Sequence, residues 1–204
     1  YGDIMPRQTV EFYFDFGSPA AYLAWTQLPT LCAKAGAELA YKPMLLGGVF
    51  QATGNQSPAA VPAKGRYVRQ DFERHAARYG VLLNFNPHFP INTLLLMRGA
   101  TAMQMHEDGA RFDDYCAAVF RAMWIDEKNM GDPAVVGAVL QAGGFDAADF
   151  LALVGQQAVK DRLKAVTEEA VARGVFGAPT MFVGAQMFWG QDRLDWVREA
   201  LANH

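Results

Sequence analysis

Thiol chemistry is nearly absent from this chain. Of 204 residues only Cys32 and Cys116 are cysteines. Neither belongs to a CxxC or a metal-ligand spacing, and both stand among apolar neighbours in stretches patterned as helix, so two buried, inert thiols are expected. That scarcity argues against a dithiol redox centre, a disulfide framework and a cysteine-based metal site; no metal is expected, and any sulfur chemistry must arrive with a cofactor. Charge is also thin: 18 Lys and Arg against 21 Asp and Glu leave a formal net charge of −3 and a pI near 5.8. Such a balance gives no electrostatic case for nucleic acid or an anionic membrane as partner. No apolar run reaches bilayer-spanning length, and the opening YGDIMPRQT lacks the apolar centre of a signal peptide, so a cytoplasmic location is the default expectation. Tyr1 in place of an initiator Met suggests a trimmed or tagged N-terminus. No internal repeat and no low-complexity segment divides the chain.

What the sequence does have is a globular profile, 51% hydrophobic and 19% charged, long enough for one substantial core or a small domain with an insertion. The organising stretch is Val10 to Trp25, VEFYFDFGSPAAYLAW. Its β-formers Val10, Phe12, Tyr13, Phe14 and Phe16 predict a buried strand ending at Gly17. A helix follows at once, with Ser18 at the N-cap, Pro19 at the first helical position and Gly36 as the stop after Lys34 or Ala35. Ser18 therefore stands at the positive end of a helix, where an anion is favoured. Two roles are open to it: a helix cap and nothing more, or a hydroxyl that donates to a sulfur anion held there. A thiol of pKa about 8.5 is mostly protonated at neutral pH and needs such a donor to become a nucleophile.

Glu38 to Lys42 alternates as a second strand, which completes a βαβ unit and implies a parallel pair. Leu45 to Gly65 is rich in Gly, Asn, Ser and Pro and predicts an irregular or briefly helical connection, of the length that carries ligand contacts. Asn55 and Lys64 are its polar candidates, an amide fork and a point charge, although both also suit a solvated loop. Helical spacing returns from Arg66 to Tyr79, where the basic residues interleave with Asp71 and Glu73 as on a solvated face. Asn84 to Asn92 is a proline-punctuated loop; His88 within it can line a pocket or simply be exposed. Further helices are predicted over Ile91 to His106, Phe112 to Ile125, Ala134 to Gln141, from the Asp146 cap to about Val154, and over Gln156 to Arg173. Met97, Met103, Met105 and Met123 in these helices suit core filling. A strand over Phe176 to Val183, a turn at Gly184 and Ala185, a second strand over Gln186 to Trp189 and a helix over Asp192 to Ala202 close the chain. The pattern predicts an α/β fold: residues 9–44 and 157–204 form one discontinuous domain, and residues 45–156 a linker loop and helical insertion.

A βαβ start, a helical insertion and a ββα finish resemble the thioredoxin plan, in which a residue followed by cis-proline faces the start of the first helix. Here that pair is Ala178-Pro179. Three stretches together, FDFGSPAAYLAW (Phe14 to Trp25), LLGGVFQATGNQSPAAVPAKGRY (Leu45 to Tyr67) and GVFGAPTMFVGAQMFWGQDRLDWV (Gly174 to Val197), resemble the glutathione-dependent 2-hydroxychromene-2-carboxylate isomerases. That family is related to kappa-class glutathione transferases in the DsbA-like branch of the thioredoxin superfamily. The resemblance implies a thioredoxin-like (βαβ…ββα) domain of the DsbA/kappa-transferase type and glutathione as cofactor. It implies that Ser18 activates the glutathione sulfur, and that Asn55, Ala178, Gln191 and Asp192 bind the tripeptide, with Lys64 a weaker member of the set. Gln191 and Asp192 would hold the γ-glutamyl end, which suits a helix N-terminus and a carboxylate that accepts from an ammonium. Redox relatives carry Cys at or beside the position of Ser18, which disfavours disulfide exchange here. The implied substrate is a small aromatic carboxylate lying between core and insertion, where Phe50, His88 and Phe89 are candidates to face it. A homodimer is the family habit. A kappa-type transferase that conjugates electrophiles, or a domain that binds glutathione without turnover, are the alternatives.

Overall fold

The computed structural model describes residues 7–203. The opening residues 1–6, which bear on the signal-peptide and trimming expectations, and residue 204 lie outside the described residues. A four-stranded mixed sheet has the order β2-β1-β3-β4. β1 (Thr9–Phe14) runs parallel to β2 (Glu38–Pro43), across the crossover helix α1 (Pro19–Ala35). The far end of the chain supplies β3 (Thr180–Val183), antiparallel to β1, and β4 (Gln186–Trp189), antiparallel to β3. Between β2 and β3 the chain is helical: α2 (Leu46–Thr53), α3 (Pro62–Tyr79), α4 (Leu94–Met105), α5 (Phe112–Trp124), α6 (Pro133–Ala142), α7 (Ala147–Gly155) and α8 (Gln157–Ala172), with α9 (Leu194–Ala202) after β4. This is the expected thioredoxin-like plan with its helical insertion.

α1 follows the sequence closely. Ser18 is extended and caps the helix by accepting from the Ala21 N–H, while Gly36 ends it at φ 65°, a left-handed turn that glycine adopts without strain. Other boundaries shift for local reasons. β1 stops at Phe14 and does not run on to Gly17, because the Asp15 side chain accepts from Gly17 N at 2.9 Å and its carbonyl from Ser18 N at 3.1 Å, folding the chain into a turn. The stretch read as a connection contains α2 and a short 3₁₀ turn over Pro58–Ala60, and α3 begins at Pro62, four residues before Arg66, since Pro suits a first helical turn. α4 starts at Leu94 and not Ile91, where the Asn92 side chain accepts from Leu94 N at 3.0 Å. β3 starts only at Thr180, whose hydroxyl donates to Gly177 O at 2.8 Å across the preceding bend. A 3₁₀ turn over Gln191–Arg193 precedes α9. Met97, Met103 and Met123 are core residues, but Met105, at the solvent end of α4, is 49% exposed.

The main core joins the sheet to the insertion. Phe14 at the end of β1 and Phe16 in the turn beyond it meet Phe120 of α5, with ring centroids 6.1 and 4.7 Å apart, and the buried Trp124 indole donates to Phe16 O at 2.8 Å. Aromatic pairs of this kind add about 0.5–1.5 kcal/mol each beyond their buried area, so the strand end that leads to Ser18 is anchored to the insertion. A smaller cluster of Tyr13, Met44, Val49, Val166, Val175 and Phe182 fills the space between the opposite sheet face, α2 and α8.

On that opposite face, Tyr13 donates to Glu169 at 2.5 Å, Arg173 donates to the Tyr13 hydroxyl at 2.9 Å and pairs with Glu11 at 2.8 Å, and Lys42 lies 3.6 Å from both Glu11 and Glu169. Partial burial acts to raise the Glu169 carboxyl, but the Tyr13 hydrogen bond and the Lys42 and Arg173 charges prevail and hold it below the usual carboxylate range. A carboxyl with a lowered folded pKa stabilises the fold above its unfolded value of about 4.3, and that contribution is lost as pH falls through the folded value. Tyr13→Phe removes the hydrogen bond. We expect it to lower the melting temperature near pH 6, and the gap from wild type to narrow as pH is taken down to about 3. Calorimetric melting across that range checks it; a gap that does not change with pH would contradict the assignment.

Candidate active site

The site is built where β1 gives way to α1. Ser18 is only 6% exposed, and its hydroxyl oxygen accepts from Ala21 N at 3.1 Å while its proton is donated to Ala178 O at 3.2 Å. The Ala178-Pro179 bond is cis, as expected, and the bend that contains it faces the first turn of α1. A hydroxyl has one proton to give. Ser18 can therefore donate to a ligand atom only by turning away from Ala178, while the Ala21 N–H keeps the oxygen polarised.

Around this pair the sequence candidates fall into two groups. Asn55 follows α2 directly, and its side-chain N–H donates to Phe176 O at 2.7 Å while its oxygen accepts from Gln56 N at 2.9 Å. It thus clasps the bend that carries Ala178. Gln191 is buried, 5% exposed, and its carbonyl accepts from the Tyr79 hydroxyl at 2.6 Å; the neighbouring Gly190 N–H donates to Pro179 O at 3.0 Å. Asp192 is exposed and folds back beside Gly190: a Cβ on Gly190, whose φ is 108°, would come within 2.5 Å of the Asp192 carboxylate. Its other oxygen pairs with Arg193 at 2.5 Å. Ser18, Asn55, Ala178 and Gln191 are in this way linked through one bend of backbone.

The remaining candidates are not linked to it. Lys64 is exposed on the first turn of α3, and among the described residues no hydrogen bond or ion pair joins it to Ser18, Asn55 or Ala178. His88 is exposed on its loop, held by its backbone N–H to the Asn86 side chain at 2.9 Å. Phe89 is half-buried with its ring 6.3 Å from Trp124, and Phe50 is half-buried on α2.

Several neighbours escaped the sequence reading. Tyr79, read only as part of a helix face, fixes the carbonyl of Gln191. Trp189 packs at a tilt against Phe176 with centroids 5.0 Å apart, and Gly177 is glycine because a Cβ there would meet the Trp189 indole nitrogen at 2.7 Å. Asp15, an acid between Phe14 and Phe16, lies buried directly behind the Ser18 turn. The two thiols lie apart from this chemistry. Burial pushes Cys32 up to about 11 and Cys116 well above its ordinary value, so neither is a thiolate at neutral pH.

Comparison with known proteins bears on what this arrangement serves. A family model for the DSBA-like thioredoxin domain matches residues 9–202. The 2-hydroxychromene-2-carboxylate isomerase of Sphingobium xenophagum is 33% identical over 95% of this chain and 98% of its own length. Glutathione S-transferase kappa 1 of Rattus norvegicus is 27% identical over 93% of this chain and 88% of its own. A solved structure of a 2-hydroxychromene-2-carboxylate isomerase superposes with a TM-score of 0.83 at 31% identity, covering 96% of this chain and 95% of that one. The chain belongs to the DSBA-like thioredoxin family and, within it, to the 2-hydroxychromene-2-carboxylate isomerases.

Proposed function

We propose that the protein catalyses the glutathione-dependent isomerisation of 2-hydroxychromene-2-carboxylate to trans-o-hydroxybenzylidenepyruvate, a step in the breakdown of naphthalene-type aromatics. The observation that carries this proposal is the Ser18 hydroxyl, capped at the start of α1 and in contact with the Ala178 carbonyl, in a chain of this family. The residues present suit the tripeptide: the half-buried backbone at Ala178 offers strand-like pairing, the turn at Gln191 leads into a helix N-terminus fit for a carboxylate, and Asp192 can accept from an ammonium. Bound glutathione would supply a thiol that adds reversibly to the conjugated system of the substrate and leaves again, freeing a carbon–carbon bond to rotate.

The chain's own part is electrostatic. Ser18 turns its proton from Ala178 O toward the sulfur, the Ala21 N–H stays on the Ser18 oxygen, and the dipole of α1 favours negative charge at the same point. Lowering a thiol pKa from about 8.5 to about 6.5 corresponds to roughly 2.7 kcal/mol, within reach of one donor and a helix end acting together.

An ultraviolet assay of the chromene carboxylate tests the proposal. Turnover is expected only with glutathione present, the product is the free isomerised acid, and the glutathione is recovered unchanged. Equal rates without glutathione would overturn the mechanism. A stable glutathione conjugate would instead favour the kappa-type transferase, the second reading that the rat relative supports.

A further inference from the structure

Asp15 is 1% exposed and uses both carboxylate oxygens on three separate parts of the chain. Oδ1 accepts from Gly17 N at 2.9 Å; Oδ2 accepts from Leu46 N at 2.8 Å and from the Thr93 hydroxyl at 3.1 Å. Among the described residues no cation joins the group. Burial raises the carboxyl above its ordinary range, and the three donors act against that rise. Leu46 is the first residue of α2, and Thr93 is the N-cap of α4. Thr93 gives its hydroxyl to Asp15 and makes no side-chain cap of its own helix. A Cβ on Gly17 would meet Thr93 Cγ2 at 3.1 Å and Asp15 Oδ1 at 3.3 Å, so the turn before Ser18 lies directly on both.

These bonds close a circuit. From Asp15 the chain of contacts runs through Leu46 and α2 to Asn55, across to Phe176, along the bend to Ala178, over to the Ser18 hydroxyl and back to Asp15 through Ser18 N. The Thr93 bond adds the helical insertion to it.

We propose that Asp15 is a positioning residue: its carboxylate holds the Ser18 turn, the start of α2 and the start of α4 as one unit. The Ser18 turn and the two helix starts then keep a fixed relation during turnover. The catalytic consequence rests on the isomerase function proposed above; the mechanical coupling does not. A misplacement of about 1 Å at a reacting centre can lower a rate about a hundredfold, which sets the scale on which such a pin matters.

The test uses Thr93→Val, which keeps shape and removes the hydroxyl, Thr93→Ser, which restores it, and Asp15→Asn. Hydrogen–deuterium exchange is read over residues 16–24, 46–54 and 92–97, and kcat is measured at saturating glutathione, with its affinity taken separately by calorimetry. Thr93→Val is expected to speed exchange in all three segments together and to lower kcat by about tenfold, with glutathione affinity within about twofold of wild type. Thr93→Ser returns both toward wild type. Exchange that changes only at residues 92–97, or a kcat that holds while exchange spreads, overturns the proposal, and this stands even if Asp15→Asn fails to fold. A wild type that neither binds glutathione nor turns over sinks the functional assignment alone; the exchange pattern still decides whether Asp15 couples the three segments.

Discussion

Ser18→Ala is expected to lower kcat/KM for the chromene carboxylate by about a hundred- to a thousandfold, the range seen when one donor to a developing anion is removed from a preorganised site. The fold should survive. Loss of an N-cap costs about 1 kcal/mol, which for a chain of this size lowers the melting temperature by about 2–4 °C. The two consequences separate the roles of one hydroxyl, which accepts from Ala21 N as a cap and has its proton free to turn from Ala178 O. With the donor gone, the thiol of bound glutathione should titrate nearer its free value, so the acid limb of the pH–rate profile moves to higher pH. Steady-state kinetics with thiolate absorbance and a thermal melt measure both. Full activity in Ser18→Ala, with only the small loss in melting temperature, would reduce Ser18 to a helix cap.

The largest expected effect on stability lies in the insertion. Gly99 sits in α4 where a Cβ would come within 2.0 Å of the Tyr115 hydroxyl, 2.5 Å of its ring carbon Cζ and 2.8 Å of Phe150 Cε2. Tyr115 cannot swing clear: it is fully buried, donates to Leu96 O at 2.8 Å, and packs against Phe16, Phe145 and Phe150. In a helix Ala is better than Gly by about 1 kcal/mol, but overpacking a filled core costs typically 1–3 kcal/mol and sometimes more. With overlaps this short, Gly99→Ala should lose about 3 kcal/mol net, a fall in melting temperature of about 6–12 °C. An unchanged or higher melting temperature would show that Tyr115 and Phe150 can repack, and that α4 and α5 are held less tightly than their contacts imply.

What could be read in advance and what could not follow from the range of the interactions involved. Ser18 was legible because a strand, a glycine, a cap and a first-turn proline are written within a few residues, and each signal is local. The cis bond at Ala178-Pro179 came from family resemblance, since spacing alone says nothing about an isomer. α2 was legible only as a brief helix within a connection, without bounds, because Gly47 and Gly48 weaken its helical pattern, and what holds its start in place is distant: Leu45 N donates to the Thr167 hydroxyl and Leu46 N to Asp15. Asp15 is the clearest case. Its partners Leu46 and Thr93 lie 31 and 78 residues away in sequence, so an acid among aromatics could be noticed but not explained. Lys64 was a loop charge and the weaker member of the family set, and His88 was chosen by residue type alone; both lie exposed, and among the described residues no hydrogen bond or ion pair joins either to the Ser18 bend.

Both native thiols are sealed in the core and held protonated by burial. Under the glutathione-dependent function proposed above, a catalyst built this way would keep its vulnerable atom on a replaceable part. If an aromatic by-product or an oxidant scavenges the working sulfur, the damage leaves with the departing tripeptide and the polypeptide is intact for the next one. On that reading, endurance would depend on the supply of fresh glutathione more than on repair of the enzyme.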